Sequence, residues 1–297
     1  MANAREIQSR MKSIKDTMKI TNAMYMISSS KLKKAKQTLM ATEPYFYTLQ
    51  MAIGRILRHM SEEEVHNVYF DERKEIEEKD RKKGYIVVTA DKGMAGAYNH
   101  NVIKLAEEHM NESEHPMLFV LGELGRHYFT KQHMPIEEAF HYTVQNPSMN
   151  RARNISERFL DRYKAGELDD VYIIYTKMNG PIQTETEMLQ LLPLKKSEFG
   201  PAPIGVPLEN IEMTPSPAAV MEHIVPNYVA GFVYGALVES YASEHNSRMM
   251  AMEAATNSAK DMLRMLEIEF NRVRQAAITQ EITEVISGAK AQKKKKK

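Results

Sequence analysis

The chain has no cysteine and no tryptophan among its 297 residues. Without cysteine there is no disulfide framework, no thiolate zinc site and no cysteine nucleophile, which fits a reducing compartment. Long apolar runs are also missing. The longest, Val229 to Val238, falls far below the ~20 residues needed to cross a bilayer. The N-terminus carries no signal-peptide core, because charge and hydrophobe alternate from the start. No phosphate-cradling G-x-x-x-x-G-K-S/T, no H-E-x-x-H and no G-x-S-x-G is present. The ten histidines form no i,i+4 ligand pair on an expected helix. Catalytic residues, metal ligands and cofactor-binding residues are therefore all expected to be lacking.

What is present is periodicity. Ile7, Met11, Ile14, Met18, Thr21, Tyr25, Ser28, Leu32, Ala35, Leu39, Thr42, Phe46, Leu49, Ile53, Ile56 and Met60 alternate steps of four and three. That stripe repeats every ~3.5 residues, the signature of a helix held against a partner helix. Met249, Met252, Thr256, Ala259, Leu263, Leu266, Phe270, Val273 and Ala277 repeat the pattern near the other end. Neither stripe can be buried alone, so the two are expected to pair as a long antiparallel coiled coil. The lengths differ, roughly 90 Å against 105 Å if unbroken, so one end of the longer helix is expected to project.

Charge follows the same division. Net charge is only +1, yet residues 1–60 hold eleven bases against three acids, and residues 215–288 hold five against nine. Opposite signs on two pairing helices suggest interhelical ion pairs, each worth only ~0.2–1 kcal/mol when exposed. Lys31, Lys33, Lys34 and Lys36 with Arg5 and Arg10 raise a nucleic-acid reading. The bases are spread around a helix already committed to a partner, so no nucleic-acid partner is expected.

Between the stripes the pattern changes to that of an α/β domain. Residues 85–89, 117–121 and 171–176 are short β-branched runs, and 184–194 alternates as an antiparallel strand should. Helices are expected over 98–110, 123–131 and 150–165. The resulting division is a coiled-coil helix (1–60), a charged surface connector outside the core (61–84), a Rossmann-like α/β domain (85–194), a Pro/Gly linker (195–217), a second coiled-coil helix (218–288) and a disordered basic tail (289–297). Pro44 is expected to kink or break the first helix, and Pro226 to disturb the second.

Two features could carry function. The loop Asp91-Lys92-Gly93-Met94-Ala95-Gly96-Ala97-Tyr98-Asn99 follows a strand and precedes a helix, where α/β folds bind anions. It lacks the three-glycine spacing of a dinucleotide site, and a tight turn that lets the helix pack is the plainer reading. Of the twenty-two methionines, Met11, Met18, Met24, Met26, Met249, Met250, Met252, Met262 and Met265 cluster on the long helices and suit core filling or adaptable surfaces. Met24 lies off the stripe and is a candidate outward contact.

The stretches Lys19-Ile20-Thr21-Asn22-Ala23-Met24-Tyr25-Met26, Ser247-Arg248-Met249-Met250-Ala251-Met252-Glu253-Ala254-Ala255-Thr256-Asn257 and Arg274-Gln275-Ala276-Ala277-Ile278-Thr279-Gln280-Glu281-Ile282 closely resemble the gamma subunit of bacterial rotary (F-type) ATP synthases. The resemblance runs in order along nearly the whole chain. It implies a central-stalk rotor, non-catalytic itself, whose coiled coil turns inside a ring of alpha and beta subunits. The α/β domain would meet the epsilon subunit and the membrane c-ring. The complex would sit at the cytoplasmic face of the bacterial cell membrane, with this chain peripheral and without a membrane span. It further implies that Arg274 and Gln275 contact a beta subunit, that Thr279 and Glu281 lie close to the same surface, and that Met24 faces the lever region of a beta subunit. The alternatives are a non-rotary coiled-coil scaffold and a nucleotide-dependent α/β enzyme using the loop at Gly93–Gly96.

Overall fold

The computed structural model describes residues 4–60, 67–180, 183–199 and 213–295, with side chains described as far as Ala289. Helix α1 (Ala4–His59) is followed by β1 (Lys82–Val88), α2 (Tyr98–Asn111), β2 (His115–Leu121), α3 (Glu123–Lys131), α4 (Met149–Lys164), β3 (Asp170–Met178), β4 (Thr184–Leu192) and α5 (Pro217–Lys295). The chain divides into two compact units. One comprises residues 28–248, and the other joins residues 1–27 to residues 249–297. Each long helix thus contributes to both units, and the unit boundaries fall inside the helices rather than at the ends expected from the sequence pattern.

In the sheet-bearing unit the strand order is β2-β1-β3-β4. β1 pairs in parallel with β2 and β3, and β4 closes the edge antiparallel to β3. The strand alternation sorts side chains between two faces. Tyr85, Val87, Leu118, Val120 and Ile174 join Val102, Ala106 and Met110 of α2 and Phe129 of α3 on one face. Ile86, Val88, Phe119, Leu121, Ile173 and Tyr175 join Ala152, Ile155, Phe159 and Tyr163 of α4 on the other. The same core takes in Ile53 and Ile56 of α1 and Val225, Val229 and Val233 of α5. Burial on both faces explains why the parallel strands read as continuous apolar runs. α4 begins where the Ser148 hydroxyl accepts the Arg151 amide at 3.3 Å, a side-chain cap of the usual kind.

The two long helices run antiparallel here. Lys31 lies over the ring of Tyr241, while Phe46, later on α1, stacks on Tyr228, earlier on α5. Both helices pass through their prolines without interruption. At Pro44 the carbonyl left without its amide partner belongs to Met40, which is 71% exposed, so water can replace that bond. The end of β3 docks on α5: the Thr176 amide donates to the Ser240 hydroxyl at 3.3 Å, and the Ser243 hydroxyl donates to the Thr176 carbonyl at 3.0 Å.

The charged connector departs from expectation. Residues 61–66 lie outside the described residues, but Tyr69 and Phe70 that follow are buried in the core. One of its arginines, Arg81, is buried with them, and another, Arg73, is partly buried. Arg81 makes a two-pronged pair with Asp170, Nε to Oδ2 at 2.6 Å and Nη2 to Oδ1 at 2.8 Å. Arg73 pairs with Asp169 at 2.6 Å and donates to the carbonyls of Leu168 and Tyr163. Burial pushes the Asp169 carboxyl up, but the Lys82 amide and Arg73 outweigh it and hold it below the usual carboxylate range. Composition marks such a segment as solvated; pairing with two adjacent aspartates is what lets it enter the core.

In the helical unit, α1 and α5 meet over a narrow seam. Ile7, Thr21, Met252 and Ala259 are buried, and the hydroxyls of Thr21 and Thr256 are 2.7 Å apart. Ion pairs on this part of α1 run along the helix, Arg10 to Glu6 and Lys19 to Asp16, where the sequence had suggested pairs between helices. Through Val273 the C-terminal stripe stays at least partly covered; from Arg274 to Ala289 every residue is exposed. The tail expected to be disordered continues instead as helix to Lys295.

Candidate functional site

The loop Asp91–Asn99 is closed by its own neighbours. The Asn99 side-chain carbonyl accepts the Ala90 amide at 2.8 Å. The Asp91 carboxylate takes the amides of Glu123 and Val144 and the Thr143 hydroxyl. Arg248 donates to the carbonyls of Lys92 and Gly93 at 3.0 and 3.1 Å, and pairs with Glu244 at 2.6 Å. The loop thus turns carbonyl oxygens toward a cation that is already neutralised. A phosphate placed there would meet Asp91 and Glu244, and would have to compete with Glu244 and the loop carbonyls for Arg248. His245, beside it, is 3% exposed. Burial first, then Arg248 and Lys31, push its imidazole down to about 3, so it is neutral at physiological pH. The close packing has a plain role: it ties β1 and α2 to α5 within this unit. Among the described residues no group of histidines and carboxylates could hold a metal ion, and no helix is long and apolar enough to cross a membrane.

The surface that does call for an explanation is the exposed stretch of α5. Arg274, Gln275, Thr279 and Glu281 lie within about two turns of one another, and all are exposed. The Thr279 hydroxyl donates back to the Gln275 carbonyl at 2.9 Å, leaving the other polar heads turned to solvent. Interleaved with them are apolar side chains that sequence reasoning did not single out: Ile278, Ile282, Val285 and Ile286, from 47% to 72% exposed. Their spacing of four, three and one was the available signal. These residues leave the register of Phe270, Val273 and Ala277 for another face of the helix, and exposed apolar side chains grouped on an unpaired helix mark a face used elsewhere. Met24 differs from expectation in being half-buried in its unit rather than fully outward. Ile20, Met26 and Ile27 are the more exposed apolar residues on that part of α1.

A helical pair with one polar-and-apolar tip and an α/β unit whose one candidate loop is internally satisfied define a protein built for contact. Comparison with known proteins names the contact family. A family model described as ATP synthase matches residues 3–292. The ATP synthase gamma chain of Acetivibrio thermocellus is 44% identical over 299 residues, covering 99% of this chain and 100% of the relative. The ATP synthase gamma chain, sodium ion specific, of Acetobacterium woodii is 36% identical, covering 97% and 98%. Among solved structures, a chain from the Euglena gracilis mitochondrial ATP synthase, OSCP/F1/c-ring in rotational state 3, aligns with a TM-score of 0.67 at 18% identity, covering 99% of this chain and 96% of that one. At that identity the likeness is one of fold. The chain belongs to the ATP synthase gamma chain family.

Proposed function

We propose that the chain is the central-stalk rotor subunit of an F-type ATP synthase, turning with a membrane c-ring and coupling ion flow to ATP synthesis in beta subunits. The observation that carries this reading is the match of nearly the whole chain, at 44% identity, to an ATP synthase gamma chain. The chain itself is non-catalytic. It does its work through contacts that differ between orientations, because only differential contact energy can shift a partner's equilibrium. The complex sits at the cytoplasmic face of the bacterial membrane, with this chain peripheral; the epsilon subunit and the alpha subunits are its other partners.

Within that reading, Arg274, Gln275, Thr279 and Glu281 are the beta-subunit contacts, and the exposure of all four supports the assignment. Arg274 offers a planar fork of donors suited to a carboxylate in one orientation. Ile278, Ile282, Val285 and Ile286 supply the apolar part of the same surface. Met24 is a beta-subunit contact through its uncovered portion. The test is the ratio of ion pumping to ATP hydrolysis in membrane vesicles. Arg274→Leu with Gln275→Leu is expected to lower ATP synthesis and assembly more than hydrolysis. Met24→Lys is expected to leave hydrolysis running while pumping falls. Wild-type synthesis and a wild-type ratio in both variants would remove these residues from the coupling surface.

A further inference from the structure

We propose that a cleft between α1 and α5 in the sheet-bearing unit binds a small organic ammonium cation with an apolar stem. The cleft has a volume of about 170 Å³ and is walled by Leu39, Phe46, Tyr47, Phe232 and Ala236, with Glu43 and Glu239 among its polar groups. It exists because α5 carries glycine on this side. A Cβ at Gly235 would meet nothing within 4 Å, and one at Gly231 would only touch the Phe46 ring at 3.5 Å.

The charges around the cleft are unequal. Glu187 of β4 is already engaged, accepting the Tyr175 hydroxyl at 2.8 Å and pairing with the Lys177 ammonium. Glu239 forms no ion pair among the described residues. It faces Glu43 from α1, Glu187 from β4 and Lys177 from β3, while one turn away on α5 itself stand Gly235 and Ser243. Lys177 thus answers Glu187, Glu185 and Glu239 at once, and Glu43 adds a further carboxylate near Glu239. Burial, then Glu187 and Glu43, push the Glu239 carboxyl up to about 7, with Lys177 opposing.

A second cation would complete this arrangement. Its charge would answer Glu239, and the rings of Phe46, Tyr47 and Phe232 would receive its apolar stem. An anion would be repelled, and a neutral isostere would forgo the ionic contact. Because bound cation favours ionised Glu239, binding below neutrality must release a proton, so affinity rises with pH through the neutral range.

Calorimetry on the full-length chain tests this with phenethylamine as probe, and phenethyl alcohol and methylammonium as partial probes. Phenethylamine is expected to bind saturably, about tenfold tighter than the alcohol at about pH 8 and about threefold tighter at about pH 6. Methylammonium, lacking the stem, is expected to bind more weakly than phenethylamine. Glu239→Gln should erase the preference for the amine at both pH values. Gly235→Leu, which fills the void from a helical position without meeting backbone, should abolish binding of both aryl probes while leaving thermal unfolding no lower than wild type. Equal affinity for amine and alcohol, absence of saturable binding, or an amine preference that survives Glu239→Gln would overturn the proposal.

Discussion

The sheet-bearing unit and the helical unit treat polarity in opposite ways. In the first, charge is brought inside and satisfied: Arg81 and Asp170 are each nearly sealed, with side chains 9% and 5% exposed, and every prong is bonded. In the second, apolar side chains are left outside, Ile268, Ile282 and Val285 among them. A unit that seals Arg81 against Asp170 needs no outside partner for that charge. A helix that shows its isoleucines to water is complete only in company, since each apolar side chain covered by a partner yields about 1.5–3 kcal/mol. The contrast assigns holding to one region and contact to the other.

Breaking the buried pair gives the largest expected effect. Arg81→Ala would leave Asp170 charged and unpartnered inside the fold, and should lower unfolding stability by about 3–5 kcal/mol in denaturant titration. Arg81→Lys should recover only part, because a point charge cannot reproduce the two-pronged geometry. Next comes the seam of the helical unit. Ile7 is 1% exposed, and Ile7→Ala should cost about 2 kcal/mol, at the low end for buried isoleucine because a two-helix seam can close around the gap. The loss should appear as faster amide exchange over residues 4–27, with little change over the strands.

A smaller effect should depend on pH. The folded value of Glu239 is raised from its ordinary 4.5 to about 7, so the folded state binds this proton more tightly than the unfolded state. The stabilisation is fully present below 4.5 and is lost as pH rises through 7. Glu239→Gln should therefore raise stability at about pH 8 by about 1–2 kcal/mol, a figure reduced for solvent screening, and change it little at about pH 4. Urea unfolding at the two pH values measures the difference; an equal effect at both would contradict the assignment. The smallest effect on the free chain belongs to the exposed tip. Ile282→Ser with Val285→Ser should alter its stability by no more than about 0.5 kcal/mol, yet should reduce incorporation of the chain into the assembled complex.

Much of this organisation is legible in residue spacing. The stripes on α1 and α5 and the β-branched runs appear where expected, because helix and strand periods are set by the backbone itself. Glu123–Lys131 is helical over the residues anticipated. Spacing misses what depends on partners far apart in sequence. Arg73 and Arg81 sit in a segment whose composition reads as solvated, and only Asp169 and Asp170, about ninety residues later, permit their burial. Pro44 and Pro226 read as breaks, but the surrounding helix is held by packing, with Phe46 and Tyr228 in contact beside them. The polar residues of α5 proposed as contacts were named from family likeness alone, while the isoleucines between them needed the observed exposure to stand out. The division into units was illegible for a related reason: a continuous helix carries no mark where its partner changes.

The central claim is that α5 beyond Val273 is a contact surface, uncovered in the free chain and covered in the working complex. Hydrogen–deuterium exchange over residues 274–289, compared between the purified chain and the assembled ATP synthase, tests it most directly. The account predicts fast exchange in the free chain and slowing by at least about a hundredfold on assembly, as expected when local opening becomes costlier by ~3 kcal/mol. Equal protection in both states would contradict it.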